Sequence, residues 1–229
     1  MGLTPEEWVA VRLTLVVAAW SVCIGLPPAL LAATALARWR FPGRSALDAL
    51  VHLPLVLPPV VVGWLLLLTF GIHGVIGAEL LAWFGVRLAF TRAGASLACA
   101  VMTFPLMVRA MRLSLEAVDP GFDQAARTLG AGRFDRFVTI TLPLAAPGVL
   151  VGAITAFAAS LGEFGAVITF AANIPGETQT LPLAIYTALQ SPGGEATAAR
   201  LSLISVGLAL GGLLAAEFAA RRLRPLLGR

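Results

Sequence analysis

The chain contains no lysine: its sixteen basic residues are all arginine. That absence removes the phosphate-binding lysine of a P-loop, a Schiff-base lysine and any lysine general base. A standard ATPase site is therefore not expected on this chain. Cysteine and histidine are nearly absent as well. Cys23, Cys99, His52 and His73 are too few and too scattered for a zinc centre or a disulfide framework. Charge is scarce, because Asp, Glu and Arg make up 12% of the residues, about half the share of a typical soluble domain. What is abundant is apolar surface: 59% of the 229 residues, with a mean hydropathy of +0.90. In lipid every backbone polar group needs an internal partner, so such a chain is expected to be all-α, a polytopic membrane helical bundle.

A membrane-spanning helix takes roughly 20 mostly apolar residues. Five runs approach or exceed this. Residues 13–37 and 49–78 hold no Asp, Glu or Arg. Residues 93–108 are shorter, but Arg109 and Arg112 can snorkel and let the helix continue to Leu115. Residues 137–162 are free of charge until Glu163, with a start assigned to a loop, and residues 201–216 precede Glu217 and a basic tail. Two weaker runs, 76–84 and 178–190, read as surface or re-entrant helices, although one of them could supply a sixth span. The membrane domain is expected over residues 8–220, with a basic tail over 221–229.

Arginine placement orients these spans. Arg38, Arg40, Arg44, Arg109, Arg112, Arg127, Arg133, Arg136, Arg221, Arg222, Arg224 and Arg229 fall on one side, twelve of the sixteen. That side is expected to be cytoplasmic. The N-terminus, with Glu6 and Glu7, then lies outside and the C-terminus inside. No cleavable signal peptide is expected, because the N-terminal stretch is acidic where a signal peptide is basic. Arginines beside anionic lipid explain the basic balance, so no nucleic-acid partner is required.

The longest cytoplasmic connection runs over residues 116–143. Asp119-Pro120 is a helix start, an N-cap followed by proline at the first helical position. Phe122, Ala125, Ala126 and Leu129 follow at i, i+3, i+4 and i+7, one face of a helix. Gly130 and Gly132 fit a helix stop and a tight turn. Phe134, Phe137 and Val138 then suggest a second short helix. Helices this short are marginal alone, so their apolar faces need cover. They either lie on the protein's own core or the lipid interface, or form a docking knob for a soluble subunit.

The residues Gln124-Ala125-Ala126, Gly130, Ile140, Leu142 and Pro143 resemble the EAA signature of the permease subunits of ABC importers, with Gln124 where that signature usually has Glu. The resemblance implies a type I ABC importer transmembrane domain in which Gln124, Ala125, Ala126, Leu129, Gly130, Ile140, Leu142 and Pro143 form the ATPase-coupling loop. The first short helix would sit in a groove of a cytoplasmic ATPase. Residues 52–63, 160–166, 173–178 and 129–133 are similar to the molybdate permeases of that family, and less so to its sulfate and thiosulfate permeases. The resemblance further implies a permease homodimer, two ATPase subunits that carry the ATP and Mg, and an external molybdate-binding protein. No cofactor or metal is expected on this chain.

Inside the membrane, Pro54, Pro58 and Pro59 interrupt the second run. Each lacks the N–H that would satisfy the carbonyl four residues back, which belongs to Leu50, Pro54 and Leu55 respectively. The cluster, closed by Gly63, is either a packing kink or a bend that lines the pathway. Glu163 is an acid deep in an apolar stretch, between Gly162 and Gly165. A bare carboxylate would repel a dianion, so Glu163 is expected to lock a helix or form part of a gate, bonded to backbone or to an arginine. His52 and His73 are expected near the ends of the second span as interface residues, with a proton relay as the other reading. Cys23 and Cys99 are expected to pack. Arg109 and Arg112 are topological anchors or could attract an oxyanion at the cytoplasmic exit. An intramembrane enzyme would need a catalytic pair that an isolated Glu163 does not supply. A membrane assembly protein would need no such paired short helices.

Overall fold

The computed structural model describes residues 3–223 of the chain. Eleven α-helices occur among them, and four are long and apolar enough to cross a membrane. The first is α1, Pro5–Arg38. It starts at a reciprocal cap: the Glu7 amide donates to the Thr4 hydroxyl at 3.3 Å, and the Thr4 amide donates to the Glu7 carboxylate at 2.8 Å. The acidic N-terminal residues are thus helical, and the apolar run 13–37 lies inside a longer element.

The second apolar run does not form one straight span. It folds as α2, Arg44–Val56, and α3, Pro59–Phe70, bent by 117°. Pro58 and Pro59 remove two successive helical donors, and Pro59 opens α3 where a missing N–H costs nothing. His52 therefore lies within α2 rather than at a span end, and its Nδ1 sits 2.8 Å from the Asp48 carbonyl oxygen. The weak run that follows forms α4, Gly77–Phe84, too short to cross.

Next come α5, Arg92–Ala117, and the short α6, Pro120–Thr128. The one-turn α7, Arg133–Arg136, continues through a π turn, Phe137–Thr141, into α8, Leu142–Ser160. The expected second short helix is therefore the first part of a 28-residue helical run, Arg133–Ser160. Proline chemistry explains the π turn. Pro143 cannot donate to Thr139, and its ring crowds that carbonyl. Widening the preceding turn lets the Leu142 amide reach the Phe137 carbonyl five residues back. The chain closes with α9, Gly165–Ala171, α10, Leu181–Leu189, and α11, Glu195–Leu223. The 220/221 boundary falls inside α11, and tail residues 224–229 lie outside the described residues.

Packing centres on α5, which lies against α1, α8 and α9. Small residues allow the close approach. Gly152 faces Ala110 and Met107, and the Ser114 hydroxyl donates to the Ala145 carbonyl at 3.3 Å. Ser21 of α1 meets Ser160 of α8 at 2.9 Å. The Leu181 amide donates to the Thr14 hydroxyl at 2.7 Å, joining α10 to α1. Cys99 is buried in this core, whereas Cys23 is exposed on the outer face of α1. Arg200 binds Glu7, so the starts of α1 and α11 share one end of the bundle. The end of α1, the start of α2 and the end of α5 share the other, where Arg44 donates to the Leu36 carbonyl and Arg112 reaches Asp48.

Candidate functional site: a coupling loop and a broken-helix contact

The loop at the α5 end of the bundle is built as the sequence indicates at its start. The Asp119 carboxylate accepts the Gly121 amide at 2.7 Å, and Pro120 occupies the first turn of α6. Within α6, Ala126 is buried, while Gln124 and Ala125 face out. Gly130 has φ +84, and a Cβ built on it would meet no atom within 4 Å. No other part of the described chain comes close to it. The glycine is needed for its left-handed backbone, which side chains disfavour even in open space. The chain turns back there, and the Ala131 amide donates to the Ala126 carbonyl at 3.1 Å.

Several large apolar side chains of this loop are not covered by the protein's own core. Phe122 is 56% exposed, Leu129 87% and Phe134 81%. Of the remaining loop residues, Ile140 and Leu142 are half-buried in and after the π turn, and Pro143 is exposed.

Sequence reasoning missed the side chain that ties this loop together. Arg136 donates through Nε to Asp123 at 2.9 Å and through a terminal nitrogen to the Ala131 carbonyl at 2.8 Å. Its side chain is only 13% exposed. In sequence it reads as one more cytoplasmic arginine, and nothing in the spacing marks Asp123 as its partner. The sequence marks Arg112 as a topological anchor or an attractor of an oxyanion, and gives no sign of its ion pairs. Its guanidinium binds Asp48 at 3.1 Å and Glu116 at 2.8 Å, so it is already neutralised and offers no bare charge to an oxyanion.

The second constellation lies within the bundle. Pro59 and Gly63 on α3 meet Gly165 and Ala166 on α9. A Cβ on Gly63 would sit 2.7 Å from the Thr169 Cβ and 2.8 Å from the Ala166 carbonyl oxygen. A Cβ on Gly165 would sit 2.7 Å from the Pro59 Cβ. Neither glycine has positive φ, so space, not backbone conformation, selects glycine at both. Glu163 stands at the start of α9, and its carboxylate accepts the Ala166 amide at 3.0 Å. Of the two expected kinds of partner, it is the backbone that holds it. Gly162 is exposed in the turn after α8. Pro54 lies apart, lining an apolar cavity of about 520 Å³ between α1, α2, α3 and α5. Among the described residues no cluster of three or more His, Cys, Asp or Glu side chains is placed to hold a metal.

Residues 25–225 match the family described as binding-protein-dependent transport system inner membrane component. The molybdenum transport system permease protein ModB of Escherichia coli K12 is 58% identical over 229 residues, the whole of both chains. The sulfate transport system permease protein CysT of the same organism is 41% identical over 175 residues, 76% of this chain and 63% of that one. Among solved structures, a bacterial ABC transporter that imports the acidic polysaccharide alginate superposes with a TM-score of 0.74. It has 20% identity and covers 96% of this chain and 80% of that one. At that identity the likeness concerns the fold.

Proposed function

This chain belongs to the binding-protein-dependent transport system inner membrane components, the permease subunits of ABC importers, and we propose that it translocates molybdate. Whole-length similarity to a molybdenum permease carries the substrate assignment, against the shorter and weaker similarity to a sulfate permease. In this reading two copies form the pathway at their shared interface. Two ATPase subunits, with their ATP and Mg, dock on α6 and the Gly130 turn. An external binding protein delivers the oxyanion at the opposite face, where α1 and α11 begin.

The exposed Phe122, Leu129 and Phe134 support the docking part of the proposal. A soluble-side helix with an uncovered apolar face gains from a partner groove, since burying one such side chain is worth about 1.5–3 kcal/mol. ATP binding would close the ATPase pair, displace α6 and open the pathway outward, and hydrolysis would reset it. The permease makes and breaks no covalent bond. Its contribution is mechanical: a loop that receives force and helices that change packing. The α3–α9 contact is the candidate gate, because glycine against backbone leaves a close-packed seam that can part without stranding a charge.

The test reconstitutes permease, ATPase and binding protein in liposomes and compares ATP hydrolysis with molybdate, tungstate and sulfate. Molybdate should stimulate hydrolysis well beyond sulfate. Stimulation by sulfate alone would move the chain to the sulfate branch of the family.

A further inference from the structure

The loop could deliver its motion to either of the spans that flank it, and the hydrogen bonding of the loop distinguishes them. On the α5 side the backbone turns extended at Val118, with φ −69 and ψ 121. No backbone hydrogen bond joins α5 to α6 among the described residues. On the α8 side three bonds close the unit. The Ala131 amide returns to Ala126, Arg136 holds the Ala131 carbonyl, and Arg136 also holds Asp123 in α6. The helix that contains Arg136 then runs on through the π turn to Ser160.

We infer that Arg136 is a positioning residue that makes α6 move as one body with α8, leaving the Val118–Asp119 junction as the hinge. The geometry favours this over an incidental surface pair. Arg136 is mostly buried, it makes two charge-assisted bonds to two different segments, and one partner lies on α6 itself. Exposed ion pairs with a single partner contribute little, but this one bridges the only break between the short helix and the span. The inference rests on the permease reading, because it concerns where the displacement of the docking helix goes.

The experiment measures molybdate imported per ATP hydrolysed by the full complex in liposomes. Wild type is measured first: if molybdate-loaded binding protein does not stimulate hydrolysis there, the permease reading itself fails. In Arg136→Ala, which loses the bonds to Asp123 and to the Ala131 carbonyl together, hydrolysis should continue while import per ATP falls at least about tenfold. Exchanging the charges, Asp123→Arg with Arg136→Asp, should recover part of the coupling.

The decisive variant carries Asp123→Cys and Arg136→Cys with Cys23→Ser and Cys99→Ala. A short bifunctional thiol linker across the two new cysteines should restore coupling within the same protein, and cleaving the linker should abolish it again. A linked protein that hydrolyses ATP but imports nothing would show that α6 must move against α8, and would overturn the inference. Wild-type coupling in Arg136→Ala would overturn it as well.

Discussion

Glycine does opposite work in the two candidate regions. At the loop, Gly130 has empty space around its Cα and is selected by a φ of +84. At the α3–α9 contact, Gly63 and Gly165 have ordinary backbone and are selected because the facing helix occupies the space of a side chain. The first is a conformational constraint in a solvent-facing turn. The second is a packing constraint in the interior. The difference gives the same substitution different consequences at the two sites, and it matches the proposed division into a docking loop and a gate.

The largest effect is expected at the packed site. Gly63→Val drives two methyl groups into Thr169 and the Ala166 backbone. It should lower stability by about 3 kcal/mol, read as a fall in the melting temperature of the purified permease, with transport lost. Gly130→Ala should leave the melting of the spans nearly unchanged, because nothing stands in its way. It should disfavour the left-handed turn by about 1–2 kcal/mol and weaken capture of the ATPase subunit in a pull-down. Gly130→Asn, which tolerates that backbone, should retain most binding. If Gly130→Ala melts the bundle and Gly63→Val does not, the division of roles is wrong.

A third substitution sharpens the exposed side of the comparison. Leu129→Ser removes an apolar side chain that touches little in the isolated chain. Stability should hold within about 0.5 kcal/mol, while affinity for the ATPase should fall about tenfold. The smallest effect is expected at Glu163. Glu163→Gln keeps an oxygen that can accept the Ala166 amide, so stability should change by less than about 0.5 kcal/mol, whereas Glu163→Ala loses the cap and about 1 kcal/mol. Uptake and ATPase rates of Glu163→Gln separate capping from gating: unchanged transport leaves Glu163 as a cap alone.

Local chemistry was legible in the sequence, and long-range geometry was not. The charge-free runs located the long helices, and Asp119-Pro120 located the start of α6, because caps and hydrophobic patterns act over a few residues. The three prolines near residue 58 marked a break in the second run. They could not give its 117° angle, which depends on what α2 and α3 pack against. Pro143 read as the end of a motif, and the π turn that accommodates it left no separate signal. Arg136 and Asp123 lie thirteen residues apart in a stretch rich in charge, and Glu7 and Arg200 lie 193 apart. Such pairs are set by how helices return to one another, so each charge reads alone as solvated. Gly130 reads as a helix stop, and its left-handed backbone angle is what that stop requires.

In the proposed function this chain supplies pathway and coupling loop while another chain supplies the ATP chemistry. Uptake of molybdate into liposomes tests it most directly, with permease and binding protein present and the ATPase subunit added or withheld. The expected result is ATP-dependent uptake only when the ATPase subunit is present. Uptake without that subunit, or none with all components and ATP together, would contradict the claim.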